Sequence, residues 1–322
     1  MPIVDIHAGS YVAAVSTDGG ALARLTYNEW PLAESFTIVG EPPLSCGAVL
    51  APWPNRVEDG KFTWAGEAYQ LAITEPDRNN AIHGFALRRE WSVDPTQTTN
   101  SSVTLTCTIG NEPGYPWLID LVASYAVSDP GGLTATFTAL YRGVRTSVFD
   151  TGPVVDHAPF AFGLHPYLSA CGEPLDTSTL TVPVAGILPL TSDRLLPASQ
   201  VRGIDSGDFD VSAGQRVGTR VLDNCYQRTM PTAILHGSRG GVAMHVSDNF
   251  HWWQIYTASQ FPYPDGTALP PSDGDAITPH RAIAIEPMTT PPNGFATGTD
   301  VIALTPNVPF TATMTLTYVN NN

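Results

Sequence analysis

The 322-residue sequence has little positive charge. Only 15 residues are Lys or Arg, against 30 Asp or Glu, so the formal net charge is -15, and Lys61 is the single lysine. A nucleic-acid-binding protein needs a basic surface that displaces the counterions of the phosphate backbone. The charge balance therefore excludes nucleic acid as a partner and disfavours anionic membrane surfaces.

Long apolar runs and paired cysteines are also missing. No run of 18 apolar residues occurs, so we expect no membrane-spanning helix. The first ten residues lack a basic segment followed by an apolar one, which favours a cytoplasmic protein. The four cysteines lie more than fifty residues apart with no Cys-x-x-Cys pair. We expect them to be buried thiols rather than zinc ligands or disulfides.

The residues that are present indicate an all-β protein. Hydrophobic residues make up 43% of the chain, and its 28 glycines and 29 prolines favour turns and short strands over long helices. Apolar residues alternate with threonines over 103–109, 133–141 and 312–318, the period of a half-buried strand. With neither an internal repeat nor a linker, the pattern predicts one antiparallel β domain over 1–322, with two sheets or a strongly curved sheet.

Two segments combine stiff backbone with polar side chains. Two prolines and a tryptophan precede Asn55 and Arg56, and arginine offers planar donors that suit hydroxyls or carboxylates. A structural ion pair is the alternative for Arg56. His83 precedes Gly84, whose missing side chain permits close approach of a ligand or of another backbone segment. The alternative for His83 is a hydrogen-bonded core histidine.

Three further candidates lie in the second half of the chain. His165 sits in an apolar stretch, where burial and a nearby carboxylate can tune its proton affinity. Glu286 ends an apolar run and precedes a proline, and a buried carboxylate is costly unless it is paired or functional. Asp223 is weaker, because a turn aspartate needs no function.

Together these residues suit a neutral sugar. Sugar hydroxyls need polar partners, and the apolar faces of the ring can pack on aromatic side chains. The aromatic candidates for packing on the sugar ring are Trp53, Trp117, Trp252, Trp253 and Tyr167. The sequence does not show which of them do so. No nucleophile elbow, zinc-binding helix motif or dinucleotide glycine fingerprint competes with this interpretation.

Five motifs resemble, in order along the chain, those of the aldose 1-epimerase (galactose mutarotase) family. They are Pro52-Trp53-Pro54-Asn55-Arg56-Val57, Ile82-His83-Gly84, Gly163-Leu164-His165-Pro166-Tyr167, Leu222-Asp223, and Ile285-Glu286-Pro287-Met288 with Pro291-Pro292-Asn293-Gly294-Phe295. The resemblance runs from about residue 10 to the C-terminus. It implies the family's large antiparallel β-sandwich, with a sugar bound on its concave face.

The resemblance also implies roles for the candidate residues. His165 matches the general acid of the family and Glu286 its general base. Arg56, His83 and Asp223 match residues that hold the sugar, and we place Asn55 and Tyr167 with them. No metal or cofactor is implied, the partner is a monosaccharide, and we expect a monomer or homodimer.

The chemistry of anomer exchange accounts for such a pair. A hexose ring opens when its C1 hydroxyl loses a proton and its ring oxygen gains one, and reclosure on the other face of the aldehyde reverses the roles. We expect Glu286 to be ionised and His165 protonated, on opposite sides of the sugar.

Three alternatives remain. One is a catalytically silent sugar-binding domain, and another is a glycoside hydrolase using Glu286 and Asp223. The third is a mutarotase for an unusual sugar such as sulfoquinovose. Leu168 replaces an aromatic residue typical of galactose-type members, so the chain resembles a bacterial branch of the family for which such substrates are suspected. A sulfonate would favour an extra cation, for which the candidates are Arg88, Arg89, Arg142, Arg145 and Arg281.

Overall fold

The computed structural model describes residues 3–144, 157–205, 209–262 and 281–320. Almost all regular structure in these ranges is β-strand, with one α-helical turn, α1 (Gly294–Thr297), and five 3-10 turns at Pro43–Ser45, Pro76–Arg78, Ala86–Arg88, Pro95–Gln97 and Leu175–Thr177. The strands are β1 (Ile3–Ala8), β2 (Tyr11–Ser16), β3 (Leu22–Tyr27), β4 (Trp30–Ala33), β5 (Val49–Leu50), β6 (Arg56–Glu58), β7 (Lys61–Trp64), β8 (Glu67–Gln70), β9 (Asn80–Ile82), β10 (Ser92–Val93), β11 (Ser102–Ile109), β12 (Trp117–Ser128), β13 (Gly132–Val144), β14 (Ala158–Phe160), β15 (Gly163–Leu164), β16 (Tyr167–Leu168), β17 (Thr179–Thr181), β18 (Val184–Leu188), β19 (Gln215–Arg216), β20 (Asp223–Arg228), β21 (Thr232–Gly237), β22 (Gly240–Val246), β23 (Trp252–Ala258), β24 (Ala282–Met288), β25 (Ile302–Leu304) and β26 (Phe310–Val319).

Two large antiparallel sheets contain most of these strands. The first has the order β1-β2-β3-β4-β16-β24-β23-β20-β18, with β15 and β5 attached beside β24, and the second has the order β10-β11-β12-β13-β26-β22-β21-β17-β19. Three short two-stranded sheets, β14-β25, β6-β9 and β7-β8, lie outside them. The predicted β-sandwich is confirmed.

The period-two pattern produces the core between the sheets. In β12, every second residue is buried along its whole length, because successive side chains of a strand point to opposite faces. Most of the buried apolar side chains of the two sheets form one large cluster, and two smaller clusters are separate from it. The four cysteines are buried free thiols, as expected. No helix in the described ranges is long and apolar enough to cross a membrane.

The first sheet supplies the framework for the candidate residues. Strands β24, β23 and β20 lie side by side in its second half, with Gln254 of β23 opposite Glu286 of β24 and Asp223 of β20 opposite Tyr256. The segment with His165 joins β15 to β16, which both pair with β24. Residues far apart in sequence therefore meet on one face of one sheet.

Gly84 brings the two N-terminal motifs together. It forms an isolated bridge with Ala51, and the main-chain N–H of Phe85 donates to the Ala51 oxygen at 2.8 Å. Gly84 has φ +66°, and a Cβ built there would lie 2.2 Å from that oxygen. The predicted close approach is therefore to another backbone segment, which sets His83 beside Asn55.

We expect Gly84→Ala to destabilise the protein by about 2–4 kcal/mol, combining the cost of a left-handed backbone with a steric clash. Gly66→Ala is the matched control, because Gly66 also has positive φ but a Cβ built on it would have no neighbouring atom within 4 Å. It should lose only about 1 kcal/mol. Urea unfolding measures both values, and equal losses would contradict the role of the close approach.

Candidate active site

A cavity of about 350 Å³ opens on the face of the first sheet where the candidate residues meet. Six of the seven predicted site residues line it: Asn55, Arg56, His83, His165, Asp223 and Glu286. The other lining residues are Leu44, Ser45, Thr74, Glu75, Arg78, Ile82, Arg88, Gln254 and Tyr256. Its volume is in the range of small-molecule sites, and its lining is mostly polar.

Glu286 lies in the middle of β24 at the floor of this cavity. Its side chain is 3% exposed, and Gln254 on the neighbouring strand is 1% exposed. The Gln254 amide Nε2 donates a hydrogen bond to Asp223 Oδ1, which links β23 to β20 through their side chains. Among the described residues, neither Glu286 Oε2 nor Gln254 Oε1 has a hydrogen-bond partner, so both oxygens can accept from a bound molecule.

His165 is held by its backbone against the edge of β5. Its N–H donates to the Ala48 oxygen at 3.1 Å, and its own oxygen accepts from Gly47 N–H at 2.9 Å. This places imidazole Nε2 3.4 Å from Glu286 Oε1. The two groups expected on opposite sides of a sugar are therefore adjacent.

Burial shifts the pKa values of both members of this pair. Desolvation lowers the pKa of His165 to about 4. Desolvation raises the pKa of Glu286 well above its usual value, and the neighbouring charge of Asp223 raises it further. Both shifts oppose the ionised pair expected from the sequence, because burial penalises both charges, whereas the 3.4 Å contact between the two groups favours it.

His83 is fixed as a neutral hydrogen-bond donor. The main-chain N–H of Asn55 donates to His83 Nδ1 at 3.1 Å, so the ring proton resides on Nε2. Burial lowers the pKa of His83 well below 6.5, with smaller contributions from His165 and Arg56. Asn55 adopts this position with φ +55°, and its side-chain oxygen accepts from Arg56 N–H at 2.9 Å.

The donor set of His83, His165 and Glu286 is poorly matched to a metal ion, although their ligand atoms lie within 4.8 Å of one another. A histidine that ligates a metal normally donates its other ring N–H to an acceptor. The Asn55 N–H instead points at His83 Nδ1, which leaves the proton on Nε2 and its lone pair unavailable. The arrangement suits hydrogen bonding to sugar oxygens better than metal coordination.

Arg56 reaches the cavity from β6 and is held by Glu75. Its Nε lies 3.0 Å from Glu75 Oε2 and its Nη2 lies 3.0 Å from Oε1. Arg56 therefore lines the cavity and also belongs to an ion pair. The same carboxylate accepts from Asn80 Nδ2 at 2.9 Å and Arg78 Nη1 at 3.3 Å.

Tyr167 lies behind the cavity wall, which corrects its predicted contact with the sugar. It is 1% exposed, its ring centroid lies 5.3 Å from that of His165, and its hydroxyl donates to the Leu44 oxygen at 3.3 Å. It supports the imidazole from behind. The four candidate tryptophans are likewise buried and absent from the lining, and the aromatic residue that lines the cavity is Tyr256.

Among the arginines proposed as an extra cation, Arg88 lines the cavity. Arg89 and Arg142 line a different groove along β11–β13, and Arg281 pairs with Asp176. Arg145 lies outside the described residues.

Sequence reasoning missed Glu75, Arg78, Gln254 and Tyr256 among the lining residues. Gln254 and Tyr256 alternate with apolar residues along β23, and that polar alternation in an apolar segment is the signal that could have identified them. Glu75 and Arg78 belong to a polar turn with no comparable signal.

The chain is similar to known proteins over nearly its whole length. The chain is 26% identical over 304 residues to the uncharacterized protein YihR of Escherichia coli K12, covering 94% of this chain and 88% of that protein. The GalM/aldose epimerase homologue of C. elegans superposes with a TM-score of 0.80 at 18% identity, covering 99% of both chains. Galactose 1-epimerase from Lactobacillus acidophilus superposes with a TM-score of 0.77 at 17% identity, covering 99% of this chain and 95% of that one.

These structural likenesses establish the fold, and the match to a family model establishes membership. The family model described as Aldose 1-epimerase matches residues 2–317, nearly the whole chain. The protein therefore belongs to the aldose 1-epimerase family.

Proposed function

We propose that the protein is a mutarotase that interconverts the α and β anomers of a free aldohexose. The observation that carries the proposal is the buried pair of His165 Nε2 and Glu286 Oε1, 3.4 Å apart at a sugar-sized cavity. The anomeric hydroxyl oxygen and the ring oxygen are both bonded to C1. A proton donor and a proton acceptor that lie side by side can therefore reach both atoms at once.

One proton on the pair is sufficient for the whole cycle. Glu286 takes the C1 hydroxyl proton while His165 gives a proton to the ring oxygen, and the bond from C1 to that oxygen breaks. Rotation about C1–C2 turns the other face of the aldehyde toward the ring hydroxyl, and reclosure returns both protons. Because burial opposes the ionised form of the pair, sugar hydroxyls are needed to stabilise Glu286 as the carboxylate and His165 as the imidazolium, whose groups lie 3.4 Å apart.

The surrounding groups supply hydrogen bonds of fixed direction. His83 donates through Nε2–H, and Arg56 donates through its guanidinium. Asp223 and Gln254 offer oxygens that accept from hydroxyls. Fixed donors and acceptors around a sugar reduce the entropy lost on binding and hold it in a reactive orientation.

The same geometry favours catalysis over the two alternative functions. A silent binding domain has no need of an adjacent acid and base, both buried. A two-carboxylate hydrolase needs Asp223 and Glu286 as its reacting pair, whereas Asp223 is bonded to Gln254 and the nearest partner of Glu286 is an imidazole.

Replacing either member of the pair should abolish exchange without unfolding the protein. We expect His165→Ala and Glu286→Ala each to reduce kcat/KM for anomer exchange by about 10²-fold or more, measured by NMR exchange spectroscopy or polarimetry. His7→Asn and Glu67→Gln, at exposed sites, are the matched controls. Retained exchange in either alanine variant would contradict the assignment, and hydrolysis of a chromogenic glycoside by the wild type would favour the hydrolase.

The rate should follow a bell-shaped pH profile. Below about pH 4, His165 takes a second proton onto the pair, and no base remains. At alkaline pH, Glu286 loses its proton at a value well above 4.5, and no acid remains. Because the charge of Asp223 raises the pKa of Glu286, Asp223→Asn should move the alkaline limb to lower pH. An alkaline limb that stays in place or moves upward, after correction for spontaneous mutarotation, would contradict this charge assignment.

We propose an anionic aldose such as sulfoquinovose as a second candidate substrate. Arg78 and Arg88 line the cavity beside Arg56, and their side chains are 37% and 36% exposed. The ion pair from Arg88 to Glu41 is long, at 3.4 Å. Arginine at the rim of a sugar site is suited to a planar hydrogen-bonded contact with a sulfonate.

A substrate panel tests this candidate. Exchange rates for glucose, galactose and sulfoquinovose are measured with the wild type, Arg88→Gln and the control Arg142→Gln. If the anion is recognised, Arg88→Gln should lower the preference for sulfoquinovose over glucose about tenfold, the scale of one charged hydrogen bond. A ratio that does not change, or a wild type that prefers glucose, would leave the neutral hexose as the substrate.

A further inference from the structure

We propose that Glu75 is a positioning residue for sugar binding, which acts by fixing the guanidinium of Arg56 so that Nη1 faces the cavity. The inference rests on the proposed function, because it assigns a task to Arg56 in holding the sugar. Glu75 lies outside the five family-like motifs and entered the site only through the tertiary structure.

The contact between the two residues leaves Arg56 one free edge. Both Nε and Nη2 donate to the Glu75 carboxylate, at 3.0 Å to Oε2 and 3.0 Å to Oε1. Nη1 has no hydrogen-bond partner among the described residues, and Arg56 lines the cavity. A guanidinium is planar and rigid, so fixing two of its nitrogens also fixes the direction of the third.

Glu75 is itself held on several sides. Asn80 Nδ2 donates to Oε2 at 2.9 Å, and Arg78 Nη1 donates to Oε1 at 3.3 Å. The backbones of Glu75 and Asn80 exchange hydrogen bonds at 2.9 and 3.1 Å. Asn80 is fully buried and accepts from Arg194 Nη2 at 3.0 Å. The position of Arg56 therefore depends on a second layer of polar contacts, as expected for a site held in one geometry.

The carboxylate has no capacity left for a sugar. Oε1 accepts from Arg56 and Arg78, and Oε2 accepts from Arg56 and Asn80. Burial alone raises the pKa of Glu75, but the hydrogen bonds from Arg56 and Asn80 outweigh it and the net pKa is lowered. Glu75 is thus a permanent anion that orients a cation rather than a proton carrier or a direct sugar ligand.

A double-mutant cycle separates positioning from a general structural role. Glu75→Gln, Arg56→Gln and the double variant are compared with the wild type for kcat and KM in anomer exchange. We expect Glu75→Gln to lower kcat/KM between about 10- and 100-fold, mainly through KM, because a freed guanidinium contacts the sugar poorly. In the Arg56→Gln background, Glu75→Gln should have less than about a two-fold effect, since its only route of action is gone.

Asp77→Asn is the matched control. Asp77 is exposed and lies in the 3-10 turn Pro76–Arg78 that follows Glu75, so this variant removes a nearby carboxylate without touching the contacts of Glu75 or Arg56. It should keep wild-type kinetics. Circular dichroism and thermal unfolding check that every variant is folded.

The outcomes distinguish the inference from the function on which it rests. Wild-type kinetics in Glu75→Gln, or effects of the two substitutions that simply add, would overturn the positioning role while leaving the mutarotase intact. A wild type without exchange would refute the mutarotase. In that case the double-mutant cycle is repeated with dissociation constants for galactose and glucose, measured by NMR titration, in place of the kinetic constants. A wild type that neither exchanges nor binds these sugars would overturn both.

Discussion

The burial of His165 and Glu286 against each other is the constraint on which the rest of the site depends. Two ionisable groups excluded from water are costly unless they are neutral or well paired. In the sandwich, Glu286 lies within β24. His165 lies between β15 and β16, which both pair with β24. With one proton between them, the two groups together carry no net charge and provide one donor and one acceptor for the proposed reaction.

The remaining polar groups of the cavity are arranged to balance charge locally. Although the chain carries a net charge of -15, three arginines and three carboxylates line the cavity. Arg56 is neutralised by Glu75, and His83 is kept neutral by a main-chain N–H at Nδ1. A site without a large net field, rich in fixed donors and acceptors, is suited to a molecule covered with hydroxyls. The sequence thus has a small proportion of charged residues, but the cavity contains equal numbers of arginines and carboxylates close together.

Sequence reasoning predicted the long strands well and the short ones poorly. The alternation over 103–109, 133–141 and 312–318 became β11, β13 and β26, because each strand buries one face along its whole length. The strands of two or three residues that surround the site, such as β5, β6 and β15, are too short to show a period. These strands form because neighbouring backbone segments provide their hydrogen-bond partners. Those segments are distant in sequence, so the residues within each strand do not indicate them.

The sequence by itself determined the fold class, the family-like motifs and six residues of the cavity lining, because chemically unusual side chains in apolar surroundings are visible without coordinates. Only the tertiary structure decided what each residue contacts. It placed Tyr167 behind the site, brought in Gln254 and Tyr256 from β23, and set the buried side chains of His165 and Glu286 side by side. Contacts across a sheet join residues more than a hundred positions apart, and burial acts on a pKa only after those contacts have formed.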